Sequence, residues 1–301
     1  MRIAFLNESK RVICIVNAEL TTDYHYKISF HSDSPISTSI IDEMLGMIPP
    51  IESEAKKISF CLGIDNHLSK TERSITVSRW EDISDNYPAN VAASLDKLMN
   101  TTLSESMAGK FILWHGEPGT GKTYAIRALI DRWAEVCNVN YITDPEHFFG
   151  ADTGYMMKVV YDPEFRYDLS IIDFDEQKPR WNLVIIEDAG EFISQDSTHR
   201  NLQALSRLLN ICDGLMGQGL RLIVLITTNE DISTFHPAIV RPGRCLSKIE
   251  FTRLTTVEAN NWLANHGSQH RVDKDVTIAE LYAILNGDIL SYSQDGAGFY
   301  L

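Results

Sequence analysis

From residue 110 onward, short apolar runs alternate with stretches in which apolar residues recur every three or four positions. The runs at 110–115, 138–143, 183–186, 220–227 and 248–251 predict strands. Near-continuous apolar character suits a parallel sheet buried on both faces. Ile126, Leu129, Ile130 and Trp133 recur at helical spacing, as do apolar residues over 154–161. Over 197–216, Leu202, Leu205, Leu208, Leu209, Cys212 and Leu215 share one helical face. Strand alternating with helix predicts an α/β three-layer sandwich around a parallel sheet. Ligands of such sheets bind beyond the carboxyl ends of the strands. The polar segment 162–181, with its single apolar pair Ile171 and Ile172, reads as an inserted hairpin.

The flanks have different patterns. Short β-type runs at 2–6, 12–16, 24–30, 57–62 and 74–80, with a helical pattern over 38–48 closed by Pro49-Pro50, predict a small α+β domain spanning 1–85. Residues 86–109 read as a linker whose helix at 90–99 carries Val91, Ala92, Leu95 and Leu98 on one side. The core follows at 110–251. A short helical lid and tail then occupy 252–301, where Thr255 with Glu258 and Thr277 with Glu280 have the spacing of capping boxes. Trp262, Leu263, Leu281, Ile284 and Leu285 are placed to pack those two helices together, and 291–301 reads as extended.

Composition narrows the function class. The net charge of −14 is spread along the chain: 14 acidic against 10 basic residues over 1–100, 21 against 14 over 101–251, and 6 against 3 over 252–301. Tight nucleic-acid binding needs several phosphate contacts from Lys and Arg, and no basic block is present, so nucleic acid is an unfavoured partner. No apolar run approaches a membrane span, and the first residues carry too short an apolar stretch for a secretory signal. The five cysteines, at 14, 61, 137, 212 and 245, form no C-x-x-C pair and sit among apolar neighbours. The expectation is a cytoplasmic protein with reduced cysteines.

The chemistry starts at Gly116-Glu117-Pro118-Gly119-Thr120-Gly121-Lys122-Thr123, which satisfies G-x-x-x-x-G-K-[ST] between a predicted strand and a predicted helix. Glycines let successive backbone N–H groups turn toward phosphate oxygens. Lys122 reaches the terminal phosphates, the Thr123 hydroxyl takes a Mg²⁺ position, and Tyr124 follows at the helix start. ATP and Mg²⁺ are the predicted cofactors. Asn86 and Tyr87, on the linker, are candidates for the base pocket.

Leu183-Val-Ile-Ile-Glu187-Asp188 delivers two carboxylates from a strand end; one organises the metal, the other polarises the attacking water. Asn229 closes the next strand and can orient that water. Arg241 and Arg244 flank a Pro-Gly turn, and an arginine supplied in trans can neutralise a transferring phosphoryl group.

In this order the motifs resemble the AAA family of ATPases, within the AAA+ class. Leu225-Ile-Thr-Thr-Asn229, Pro237-Ala-Ile-Val-Arg241-Pro-Gly-Arg244 and Leu208-Leu-Asn-Ile-Cys-Asp213-Gly214 all match its pattern over about residues 105–251. The Glu-Asp order of the acid pair departs from the usual Asp-Glu. It is similar to the mitochondrial Rieske-protein translocase ATPases, as is Arg-Pro-Gly-Arg. The chain as a whole resembles bacterial AAA proteins with a small N-terminal domain.

The resemblance implies that Glu187 takes the metal side, that Asp188 is the base, and that Arg241 and Arg244 are intersubunit arginine fingers of a homo-oligomeric ring, most often a hexamer. It also places an aromatic pore loop at Phe148-Phe149-Gly150, where exposed rings would grip a threaded polypeptide. The implied function is an ATP hydrolase that remodels or translocates a protein, recruited directly or by an adaptor through residues 1–85. Its rivals are a nucleic-acid-linked AAA+ loader or defence component, and a nucleotide-gated assembly protein with little hydrolysis.

Overall fold

The computed structural model describes residues 2–7, 12–20, 24–32, 55–64, 67–104, 110–150, 153–161, 180–194, 198–213, 220–231 and 243–287, with a few isolated positions between them. The described residues form two sheets. The first is antiparallel, in the order β1 (Arg2–Asn7), β2 (Val12–Leu20), β3 (Tyr24–Ser32).

The second sheet has seven strands. In chain order they are β4 (Ala55–Ile64), β5 (His67–Thr76), β6 (Phe111–Gly116), β7 (Cys137–Ile142), β8 (Trp181–Ile186), β9 (Leu222–Thr228) and β10 (Cys245–Phe251). Their spatial order is β10-β6-β9-β8-β7-β4-β5. Every pairing from β10 to β4 is parallel, and β4 with β5 is an antiparallel hairpin.

The sheet is central because its middle strands are apolar on both faces. All residues of β8 and β9 are buried. Their side chains alternate between two cores, as the two-residue period of a strand requires. Phe111, Leu113, Val184, Ile186, Val224 and Ile226 face one core, together with helices α4 (Thr153–Tyr161) and α5 (His199–Asp213). Ile112, Trp114, Leu183, Ile185, Ile223 and Leu225 face the other, covered by α1 (Ala89–Met99) and α2 (Lys122–Trp133). This is the α/β three-layer sandwich, and it brings the ends of β6, β8 and β9 to one edge.

Two boundaries move. The hairpin β4–β5 is not part of a separate N-terminal domain ending at residue 85; it extends the core sheet. Ser59, Phe60 and Cys61 pair in parallel with Asn140, Tyr141 and Ile142. A buried polar chain fixes that junction: Cys61 donates through Sγ to Asn140 Oδ1 at 3.6 Å, and Asn140 Nδ2 donates to Asn182 Oδ1 at 2.6 Å. The Tyr155 hydroxyl donates to the Cys61 carbonyl at 2.6 Å, and Thr143 Oγ1 donates to the same carbonyl at 2.9 Å. Buried polar groups cost free energy unless paired, so a one-residue slip of β4 would strand several at once. Of the insertion expected at 162–181, Trp181 instead begins β8, and residues 162–179, like nearly all of the expected helix at 38–48 and the tail 291–301, lie outside the described residues.

Both C-terminal capping boxes form. Thr255 starts α6 (Thr256–Asn265) and Thr277 starts α7 (Ile278–Asn286), each with its side chain accepting from the backbone of Glu258 or Glu280. Leu254, Trp262, Leu263, Val276, Ile278 and Leu281 form their own small core.

Candidate active site

The phosphate loop leaves β6 at Gly116, opposite Phe251 in the β10 register. Gly116 has φ 139°, and a Cβ there would lie 2.1 Å from the Phe251 carbonyl oxygen. Only glycine lets the chain turn out of the sheet so close to β10. Gly121 has φ 93° and forms the N-terminal boundary of α2, so the loop ends where that helix begins. Tyr87, from the segment before α1, supports the loop from below: its hydroxyl donates to the Gly121 carbonyl at 3.0 Å.

Glu117, Pro118 and Gly119 are exposed, while Thr120 is buried and donates to the Glu117 carbonyl at 2.7 Å. Lys122 folds back on the loop, its Nζ donating to the Gly116 carbonyl at 2.7 Å and the Glu117 carbonyl at 3.0 Å. Burial pulls the Lys122 amine down to about 8, against the opposing pull of the Asp188, Glu187 and Glu117 carboxylates. Thr123 and Tyr124 are exposed at the helix start, and Tyr124 lies against the Arg127 guanidinium.

The acid pair comes from the end of β8. The Glu187 carboxylate accepts from Tyr141, whose Oη lies 3.2 Å from Oε2, and the Thr123 hydroxyl lies near it. Burial raises the Glu187 carboxyl, and the two hydroxyls oppose the rise. Burial and the Glu187 charge push the Tyr141 phenol well up, so it stays a donor. Thr123 and Glu187 thus offer two hard oxygens side by side, the donor type that Mg²⁺ takes while keeping waters and substrate phosphate oxygens as its other ligands.

Asp188 has different neighbours. Its φ of 52° makes it the only non-glycine among the described residues in the left-handed region, a conformation that costs free energy unless its surroundings hold it. Two contacts from β9 do so: the Asp188 N–H donates to Thr227 Oγ1 at 3.2 Å, and Asn229 Nδ2 donates to Asp188 Oδ1 at 3.0 Å. The exposed Asp188 carboxylate is aimed by the end of the neighbouring strand, as a water-polarising group requires.

Arg244 lies at the other end of the sheet. Its carbonyl accepts from the N–H groups of Lys110 and Phe111, at the start of β6. Gly116 ends that strand, roughly 17 Å away at about 3.3 Å per residue. Arg241 lies outside the described residues.

Phe148 and Phe149 correct an expectation. Both are fully buried, one in and one ending the single-turn helix α3 (Pro145–Phe148). Phe149 stacks on Phe192 with centroids 5.5 Å apart, and Phe148 packs edge-on against Tyr155 at 5.6 Å. The rings fill the core beneath α4 and expose no gripping surface, and Gly150 closes the turn with its N–H on the His147 carbonyl at 3.1 Å.

Two contributors carry no sequence motif. Tyr141 occupies an ordinary strand position whose value depends on β7 lying next to β8. Asn86 bridges to the C-terminal helices, accepting from Trp262 Nε1 at 2.9 Å and donating to the Tyr282 hydroxyl at 3.3 Å. The pattern of the linker made Asn86 and Tyr87 candidates but did not show what they touch.

Residues 112–253 match the model of the AAA family, the ATPase family associated with various cellular activities. The chain is 27% identical over 168 residues to the 26S proteasome regulatory subunit 7 of Caenorhabditis elegans, covering 56% of this chain and 37% of that protein. It is 31% identical over 140 residues to the ATPase family gene 2 protein of Saccharomyces cerevisiae, covering 46% of this chain and 16% of that one. With Protein SAV of Sulfolobus acidocaldarius it shares 28% over 197 residues, 64% of this chain and 24% of the relative. The chain therefore spans well under half the length of these relatives.

Proposed function

We propose that this chain, whose residues 112–253 belong to the AAA ATPase family, hydrolyses ATP at a site completed by a neighbouring copy and uses the cycle to remodel a protein. The observation that carries the hydrolytic part is the convergence of the start of α2 with the ends of β8 and β9. Thr123 of α2 lies near Glu187, just past β8, and Asp188 accepts from Asn229, just past β9. A binding-only loop would need neither contact.

The geometry supports the following division of labour. Lys122 and the loop N–H groups hold the phosphates. Thr123 and Glu187 would hold Mg²⁺, which when bound would draw charge from the phosphate oxygens. Asp188 accepts a hydrogen bond from the attacking water, and Asn229 keeps Oδ1 of Asp188 in position. Asp is one methylene shorter than Glu, so slow turnover is the expectation.

The placement of Arg244 at the far end of β6 from its own phosphate loop supports a role in trans. With Arg241 it would act on the loop of the next subunit in a ring, most often a hexamer. A protein substrate is supported by the proteasome regulatory subunit among the relatives and by the evenly acidic chain. Residues 1–32 and the segment after them are the proposed recruitment region.

ATPase assay combined with mass measurement in the presence of ATP tests this reading. Lys122→Ala is expected to lose nucleotide binding by about 100-fold or more. Arg244→Ala is expected to bind ATP and assemble without turning over. Hydrolysis by Arg244→Ala at the wild-type rate would remove the intersubunit site. Stimulation by DNA but not by unfolded protein would favour the nucleic-acid-linked alternative. Full assembly of the wild type without turnover would favour a nucleotide-gated scaffold.

A further inference from the structure

The second residue of the phosphate loop is an acid. Glu117 places a carboxylate on a loop whose N–H groups and lysine serve an anion, and its charge is felt at Lys122 Nζ. Like charges within a Debye length repel unless countered, so an uncompensated Glu117 would oppose a triphosphate.

The counter-charge comes from the turn joining β10 to the C-terminal helices. Arg253 donates to Glu117 Oε2 from Nε at 2.8 Å and lies within 2.7 Å of the same oxygen through Nη2. Its Nη1 donates to Glu280 Oε2 at 3.1 Å and reaches the Asp275 carbonyl at 3.5 Å. Glu280 is the capping-box acid of α7 and also holds the Thr277 N–H at 2.6 Å. A second tie runs alongside: the Ala279 N–H donates to the Gly119 carbonyl at 3.1 Å. One guanidinium therefore bridges the phosphate loop and the first turn of α7.

We propose that Arg253 is a positioning residue for nucleotide binding: it neutralises Glu117 and, through Glu280, ties the phosphate loop to the C-terminal helical pair. The proposal rests on the reading of residues 116–123 as a phosphate site. Exposed ion pairs contribute little to folding stability, so the effect falls on the site and not on the fold.

The test is a titration of the chain with Mg·ADP and a slowly hydrolysed ATP analogue, at about 50 mM and about 0.5 M salt. The variants are Arg253→Gln, Glu117→Gln, the double variant and Arg253→Lys. Arg253→Gln is expected to weaken binding roughly three- to tenfold at low salt, with the deficit shrinking at high salt. The double variant is expected to recover affinity to within about twofold of wild type, because the charge needing neutralisation is gone. Arg253→Lys keeps most of the affinity. Hydrogen exchange of the amides at 277–281 is expected to quicken in Arg253→Gln and in the double variant alike, since both lose the link to Glu280.

Wild-type affinity in Arg253→Gln at low salt, or a double variant no better than Arg253→Gln, overturns the proposal. If the wild type itself binds neither nucleotide, the phosphate-site reading fails, and with it the role in binding. Exchange at 277–281 then decides the tether: rates unchanged in Arg253→Gln overturn that too.

Discussion

Residues 116–123 and residues 148–150 each follow a core strand and each match a family pattern, yet the fold puts them to opposite uses. The phosphate loop stands clear of the sheet, with its glycines at positive φ and its lysine turned onto its own carbonyls. The Phe148–Phe149 pair turns inward and disappears into the core. The difference lies in what each pattern specifies. Three glycines at fixed spacing constrain the backbone, and a backbone constraint acts locally. Two phenylalanines specify only apolar surface, which a pore and a core accept equally.

Breaking each region should give different failures. The largest effect is expected at Phe149→Ala, where loss of a fully buried, stacked ring costs about 3–5 kcal/mol. Thermal or denaturant unfolding measures it. Normal stability with lost substrate handling would return Phe149 to an exposed role. Phe149→Leu, which keeps most of the volume, should cost under about 1.5 kcal/mol.

Beside the phosphate loop, at the ends of β8 and β9, the loss is chemical. Asp188→Asn is expected to keep nucleotide binding and lose about 100-fold in kcat, the contribution of a positioned general base. Asn229→Ala, acting only through Asp188, should lose roughly 10-fold, and little further in the Asp188→Asn background. Independent losses in the double variant would separate the two residues.

The smallest effect is a pH signature. The Lys122 amine sits at about 8 in the folded protein against 10.5 when unperturbed. Between those values the unfolded chain binds more protons, so nucleotide-free stability rises as pH climbs through that window. Below about 8 both states are charged and the dependence from this group vanishes. Melting curves of wild type and Lys122→Met across the window should differ in slope, the variant being flatter.

How much of this was legible in the sequence depends on locality. The alternation of apolar runs and helical stripes places β6 to β10 within a few residues: β6, β8 and β9 are buried on both faces and need no partner to be recognised, whereas the edge strand β10, exposed at Lys248 and Glu250, shows only over its last four residues. The sequence pattern puts a strand at 74–80 where β5 runs over 67–76, since Lys70, Glu72 and Arg73 give an edge strand no apolar pattern. Nothing in the run at 57–62 says that its neighbour is β7. The Cys61–Asn140–Asn182 chain that sets this pairing joins residues far apart in sequence. Glu187 and Asp188 are visible as a pair, but their different neighbours, Tyr141 on one side and Asn229 on the other, come only from the fold. Arg253 stood in a turn without a motif, and only the closeness of Glu117 and Glu280 gives it meaning.

The most direct measurement of an intersubunit site is complementation between two inactive variants. Lys122→Ala keeps Arg244 but cannot hold nucleotide; Arg244→Ala holds nucleotide but lacks the arginine. Mixed in equal amounts, with mass measurement confirming joint assembly, they should regain ATP hydrolysis, because some junctions pair an intact phosphate loop with an intact Arg244. Mixed assemblies that stay as inactive as either variant alone would contradict a site completed by a neighbour.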